Sequence, residues 1–243
     1  MKIYPYCLVS SRVLLPASIP GLDGRPILQQ DIGGLTVILS ESDAEKVALT
    51  RENVLRHDAV VRRVLEHETP LPFRFGHLVT LEQLTSYIES KSESLQARLQ
   101  QLRGRVEMSV KIIWNRESKL TNSNPESETV PGNTGKGVAF LMSKRAEMRQ
   151  EEALSLEAEA VAAWLKSEIS GFVCEERVVL RPTEKLVLSA SFLVDASKLE
   201  VYKKRTALIR LGRPELHFLT SGPWPPYTFS NNELEFKTHL GVS

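Results

Sequence analysis

The order of apolar and polar residues predicts a sheet with helices in the second half of the chain. Apolar positions recur at every second residue from Val106 to Trp114, separated by Glu107, Ser109 and Lys111. This period of two predicts a half-buried strand. The patterns that follow predict, in order, a helix at 137–169, strands at 172–180 and 186–194, a helix at 197–211 and a strand at 215–220. The order strand–helix–strand–strand–helix–strand is that of a ferredoxin-like βαββαβ unit.

The first half predicts a separate α+β unit. Strands are expected at 3–10 and 35–40, and a helix at 43–68, with Ser42 as its N-cap and a break near Thr50 as an alternative. Residues 69–76 carry two prolines and are expected to be extended. Thr80 and Gln83 form a second capping box, after which one amphipathic helix or a helix pair runs to Gly104.

These elements predict an α+β fold with two domains. The N-terminal α+β domain is expected at 1–104, and the ferredoxin-like domain at 105–220. Residues 115–135 are polar and rich in Ser, Asn, Pro and Gly, which is typical of a flexible loop. Residues 221–243 are expected to form a tail outside both domains that packs between them.

Composition excludes some classes of protein. The 243 residues are 42% apolar with a formal net charge of +1, so neither an electrostatic nucleic-acid binder nor an acidic tail protein is expected. No apolar run approaches the roughly 20 residues that span a bilayer, and the start lacks a signal-peptide pattern. A cytoplasmic protein without membrane contact is expected. Cys7 and Cys174 both lie in strand-like runs and are expected to be buried thiols.

No motif assembles a site for chemistry, so we expect no enzyme, no cofactor and no metal. The five histidines lack metal-ligand spacing, and no nucleophile motif is present. The segment Gly132–Gly137 resembles a phosphate loop, but Val130 stands at its first glycine position and Gly137 at its Ser/Thr position. A nucleotide-binding enzyme that uses this loop is the alternative from another class.

A basic stripe on the last predicted helix and just after it raises the possibility of RNA binding. It comprises Lys203, Lys204, Arg205, Arg210 and Arg213. RNA readers of this topology place stacking aromatics on the two central strands, which here offer Trp114 and Phe192 but no RNP-like sequence. A solvated or protein-docking helix, and no nucleic-acid partner, is therefore favoured.

The most unusual segment is the proline-rich stretch from Ser221 to Phe229. Its prolines restrict the backbone, so its aromatic residues are held ready for docking. One hypothesis is a clamp between the domains, and the other is a recognition peptide for a partner with an aromatic groove; the clamp is favoured. The candidate docking residues are Trp224, Pro225, Pro226, Tyr227 and Phe229.

Short segments, in order along nearly the whole chain, carry a family resemblance. They are Tyr4–Val9, Gly21–Gly24, Gly33–Leu35, His57 with Val60 and Val61, Leu71–Gly76, and Gly222–Tyr227. By these segments the chain resembles the F/L family of gas vesicle proteins. An F-type member is favoured, and an L-type member remains open.

The resemblance implies an accessory structural protein of gas vesicle formation without catalysis. Its implied partners are the small gas vesicle shell protein and other accessory proteins. Its implied place is a minor component at the gas-facing side of the shell, or alternatively a soluble assembly factor for shell subunits. Within the matched segments, a structural role is implied for Phe73, Arg74, Phe75 and Gly76.

Overall fold

The structure is a computed structural model that describes residues 2–16, 19–114, 136–180, 182–183 and 185–230. It has a mixed α/β fold with two antiparallel sheets. The described residues form two compact units: the first joins the chain up to Glu107 to the residues from Gly222 onward, and the second is Met108–Ser221. The sequence puts the tail outside both units, whereas in the structure its described part belongs to the first.

The first unit is built on a four-stranded sheet with the order β2-β3-β1-β4. Its strands are β1 (Lys2–Val9), β2 (Leu28–Ile32), β3 (Leu35–Ser42) and β4 (Leu71–Pro72). Gly33 and Gly34 connect β2 to β3 with φ values of 60° and 79°. Two positive φ angles are what a tight two-residue hairpin requires, and glycine supplies them without strain.

The first unit also contains three helices, with β4 between the first and the second: α1 (Arg51–Leu65), α2 (Leu81–Ser90) and α3 (Ser92–Leu102). The prediction of a helix from residue 43 is wrong, because Thr50 is the N-cap of α1 and its hydroxyl accepts from the Asn53 amide. Ser42 instead ends β3. The capping box of Thr80 and Gln83 is confirmed at the start of α2. The alternative of a helix pair is correct, since the helix is interrupted at Lys91.

The second unit contains a four-stranded sheet with the order β6-β7-β5-β8. Its elements are β5 (Arg105–Trp114), α4 (Lys136–Ile169), β6 (Val173–Val179), β7 (Leu186–Asp195), α5 (Leu199–Leu211) and β8 (Leu216–Trp224). The core lies where α4 and α5 pack their apolar side chains against the sheet. β8 continues past the predicted end at residue 220 to Trp224, and a short helix α6 (Tyr227–Ser230) follows.

The two cysteines differ in their surroundings. Cys7 is buried in β1, as predicted, whereas Cys174 is exposed. The prediction for Cys174 is wrong because β6 is the outermost strand of its sheet. Among the helices of the described residues, none is long and apolar enough to cross a membrane.

Candidate functional site: the tail and a tyrosine–histidine cluster

Five rings from four distant segments meet inside the first unit, and we call them the tyrosine–histidine cluster. Its members are Tyr4, Tyr6, His57, Phe75 and Tyr227. The centroids of Tyr4 and Tyr6 are 4.9 Å apart in an edge-to-face arrangement, and those of His57 and Phe75 are 5.9 Å apart. Tyr227 of the tail lies 6.1 Å from His57. Edge-to-face aromatic pairs stabilise a core beyond the area that they bury.

A hydrogen-bonded chain runs through the cluster. The backbone N–H of Gly76 donates to Tyr4 Oη (3.3 Å), and Tyr4 Oη lies 2.8 Å from His57 Nδ1. Burial lowers the pKa of His57 to about 4, so the imidazole is neutral near pH 7. Burial also raises the pKa of Tyr4, which therefore keeps its proton. With both groups neutral, Tyr4 Oη and His57 Nδ1 share one hydrogen bond, and the imidazole tautomer decides which of them donates.

Tyr6 binds the loop that contains Gly21. Its hydroxyl accepts from the Leu22 amide (2.8 Å) and shares a hydrogen bond with Ser40 Oγ (3.0 Å). A Cβ atom on Gly21 would lie 2.6 Å from Tyr6 Oη and 2.9 Å from the Arg25 carbonyl oxygen. The close approach explains why glycine occupies position 21.

The segment Phe73–Gly76 closes one side of the cluster. Phe73 is fully buried, and its amide donates to the Tyr6 carbonyl at 2.9 Å. Gly76 adopts φ 95°, which lets its amide reach Tyr4. Arg74 lies at the surface. Three of the four predicted motif residues thus contact or flank the cluster.

The tail packs on α1 through Trp224 and Tyr227. The Arg62 guanidinium lies 3.8 Å from the Trp224 ring centroid, and its Nε donates to Asp58 at 2.6 Å. Tyr227 Oη donates to the other Asp58 oxygen at 3.4 Å. A cation over an indole face is an attractive contact, so one α1 ion pair anchors two tail aromatics.

The last described turn of the tail is held by two charged residues. Thr228 donates from its backbone and its hydroxyl to Glu107, and the Phe229 carbonyl accepts from Nε and Nη2 of Arg98 at 2.9 and 2.6 Å. Glu107 is only 4% exposed. Its polar position in the alternating strand pattern predicts a solvent-facing side chain. That prediction is wrong, because the Glu107 carboxylate accepts hydrogen bonds from Thr228 of the tail. Pro225, Pro226 and Phe229 are buried as well.

Asp58, Arg62 and Arg98 were not predicted as partners of the tail. The i, i+4 spacing of Asp58 and Arg62 is typical of a solvated helix pair, which hides their contact with the tail. Arg98 carried a usable signal, because it interrupts the apolar spacing of the second helical segment. A charge at a position expected to be apolar often has a specific partner.

Three of the five residues in the basic stripe have a carboxylate partner within the chain. Lys203 pairs with Glu200 (2.8 Å), Arg205 pairs with Glu168, and Arg213 pairs with Glu215. The Arg213 guanidinium also lies 4.7 Å from the ring centroid of Trp164. A phosphate backbone would have to compete with these intramolecular carboxylates, which weighs against RNA binding.

Two features of the sequence remain: the segment that resembles a phosphate loop and the possible metal ligands. Most of the Gly132–Gly137 segment lies outside the described residues, and Lys136 and Gly137 begin α4. Within the described residues, no group of three or more His, Cys, Asp or Glu side chains is placed to hold a metal ion.

Comparison with known proteins matches this arrangement to one family. The family model described as "Gas vesicle synthesis protein GvpL/GvpF" matches residues 2–231. The crystal structure of GvpF from Anabaena sp. PCC7120 has a TM-score of 0.73 at 22% identity, covering 94% of this chain and 95% of that one. GvpF from Microcystis aeruginosa has a TM-score of 0.74 at 20% identity, covering 94% and 98%. These two structures share the fold.

Sequence relatives lead to the same family. Gas vesicle protein F of Dolichospermum flosaquae is 25% identical over 95% of this chain and 98% of its own length. Gas vesicle protein F of Nostoc sp. is 30% identical, but that match covers 49% of this chain and 50% of the relative. The chain belongs to the GvpL/GvpF family of gas vesicle synthesis proteins, and its role is related to gas vesicles.

Proposed function

We propose that this chain is a non-catalytic accessory protein of gas vesicle formation that binds the small shell protein, as a minor component at the gas-facing side of the shell. The observation that carries the proposal is the match of the family model along residues 2–231. Other gas vesicle accessory proteins are further partners under this proposal.

The contacts of the tail support a structural use of the family segments. Tyr4, His57, Gly76 and Tyr227 contact one another within the first unit. Such residues hold the fold, so a partner is expected to meet other surfaces. We therefore restate the clamp hypothesis more narrowly: Trp224–Phe229 hold the tail on the first unit.

We infer a two-domain arrangement in which the second unit is a ferredoxin-like domain. Its support is the element order from β5 to β8 together with the sheet order β6-β7-β5-β8. In that topology the first and third strands of the unit are central, as β5 and β7 are. This domain would act as a binding module without catalysis.

A second candidate, a water-phase assembly factor for shell subunits, is favoured by the ionic surface. Ion pairs with side chains about half-exposed include Arg12–Asp31 and Lys144–Glu147. Removing water from a charged group costs on the order of several kcal/mol of solvation free energy for each ion. At the gas-facing side of the shell, any ion pair that the partner does not cover would lose this solvation free energy.

Immunodetection on fractionated vesicles separates the two candidates. A minor shell component stays with washed, intact vesicles and is labelled only after they are collapsed. An assembly factor is recovered in the soluble fraction and is pulled down with the unpolymerised shell protein. If the chain is found with the shell protein neither on washed vesicles nor in the soluble fraction, the proposed partner is wrong.

Calorimetry tests the absence of nucleotide chemistry. Titration with ATP or GTP and Mg²⁺ is expected to give no binding heat. Binding that is lost in Lys136→Ala would instead support the enzyme alternative.

A further inference from the structure

The second sheet ends on an edge strand with exposed apolar side chains. In the described sheet, β6 has β7 as its one hydrogen-bonded neighbour. Half of its backbone N–H and C=O groups therefore point outward. Val178 and Val179 are 36% and 49% exposed at the end of this edge. An exposed apolar edge is a template for pairing with another strand.

We propose that β6 pairs with β6 of a second copy of this chain, antiparallel and related by a two-fold axis. The pairing would join the two second sheets into one continuous sheet. This inference is independent of the gas vesicle role. A second copy is the chosen occupant because the charges along β6 complement themselves.

Symmetry restricts the register of such a pair. The two-fold axis of two identical antiparallel strands stands perpendicular to the sheet, so each side chain keeps its face in both copies. Two residues opposite each other across the pair of strands lie on the same side of the sheet. Because side chains alternate between the two sides along a strand, the two residue numbers must add to an even sum. The register centred on Glu176 satisfies this condition and sets Glu175 opposite Arg177 of the second copy, twice.

The side chains needed for these ion pairs already share a face. Within one chain, Arg177 Nη2 lies 3.6 Å from Glu175 Oε1, as expected for residues two apart in a strand. Opposite charges facing each other across antiparallel strands stabilise the pair. Each intermolecular pair would thus extend an existing charge contact.

The negative charge of the central residue of this register is balanced within its own chain. Glu176 would face Glu176 of the second copy, but each carboxylate is paired with Lys166 Nζ at 2.5 Å. The neighbouring symmetric registers lack complementarity. Centring on Arg177 sets two guanidinium groups opposite each other, and centring on Val178 sets Arg177 opposite Val179.

The same register covers the exposed apolar end of the edge. Val178 and Val179 of one copy would run beside Cys174 and Val173 of the other. The bulge in the β6–β7 register lies between Val173 and Glu175, next to the charged centre and at the residues that would face Val178 and Val179. The charges on Glu175 and Arg177 therefore select this register.

Sedimentation velocity on a concentration series of the full chain tests the proposal. The unmodified protein is expected to form a dimer. Glu175→Arg or Arg177→Glu turns both intermolecular attractions into repulsions and is expected to weaken dimerisation by about tenfold or more. An equimolar mixture of the two variants is expected to dimerise again, because a positive edge then faces a negative edge.

The mixture also controls for folding, since only folded variants can restore each other. Lys204→Glu on the exposed face of α5 is the matched charge reversal and should leave the dimer unchanged. A chain that is monomeric at every concentration would overturn the proposal. Single variants that dimerise like the unmodified protein, or a mixture that stays monomeric, would overturn it too.

Discussion

Thr228 donates two hydrogen bonds to Glu107, from its backbone N to Oε2 at 2.8 Å and from Oγ1 to Oε1 at 2.6 Å. The residues are 121 positions apart, and the carboxylate is buried. A buried carboxylate is costly unless it is well satisfied, so this contact couples the tail to the start of β5.

Thr228→Val should destabilise the first unit. It removes the hydroxyl donor to a buried carboxylate, and hydrogen bonds to charged groups contribute about 1–3 kcal/mol. Urea unfolding followed by Trp224 fluorescence, with Trp114→Phe and Trp164→Phe in the background, reports on this unit. Thr220→Val, at an exposed position of β8, is the control. Equal midpoints for Thr228→Val and the control would contradict the coupling.

Trp224→Ala should also lower the stability of the first unit. It removes the contact with Arg62 and part of the burial of the indole, together about 2 kcal/mol. Thermal unfolding by circular dichroism measures the change, and Trp224→Phe should retain a part of it. If Trp224→Ala unfolds at the original temperature but loses a vesicle partner, the tail is a recognition peptide instead.

Acid should weaken the fold through His57. The pKa of His57 is about 4 in the folded protein and about 6.5 when unfolded. Above pH 6.5 both states are neutral and stability is complete; between pH 6.5 and 4 the unfolded state gains a proton that the folded state does not. The free energy of unfolding should therefore fall by up to about 3 kcal/mol across this interval.

The His57 effect is isolated by comparing variants in chemical unfolding from pH 7 to 4. His57→Gln should show a shallower loss than the unmodified protein, because the titrating group is gone. His67→Gln, at an exposed position two residues after α1, should keep the original slope. Parallel curves for all three proteins would mean that His57 does not carry the acid sensitivity.

Gly76→Ala tests the backbone requirement of the Phe73–Gly76 segment. A Cβ atom at Gly76 meets nothing within 4 Å, so any cost comes from its φ of 95°. The strain should destabilise the protein by about 1–2 kcal/mol. Gly171→Ala has equally open space without a positive φ and should be neutral or slightly stabilising. Equal unfolding midpoints for the two variants would contradict the requirement.

Local signals in the sequence were sufficient for most elements. The capping box at Thr80 and the period-two pattern from Val106 depend on neighbouring residues, which the sequence displays directly. The start of α1 was missed because Ser42 and Thr50 are both acceptable caps. The packing of β3 leaves Ser42 at a strand end, and that tertiary choice is invisible to a local pattern.

The candidate site was predictable in its aromatic half only. Trp224 and Tyr227 stand out because of the surrounding prolines, but the charged residues that hold the tail come from α1, α3 and β5. Arg62 and Glu107 resemble ordinary surface charges in a single sequence, whereas Arg98 is marked by its place in an otherwise apolar spacing. Which charge meets the tail depends on contacts between residues that are distant in the chain.

Deletion of the gene in its host, with complementation by the unmodified gene, tests the central claim most directly. The readout is gas vesicle yield by electron microscopy and pressure-collapse turbidity. The account predicts few or no normal vesicles after deletion and recovery on complementation. Normal vesicles in normal number after deletion would contradict a role in gas vesicle formation.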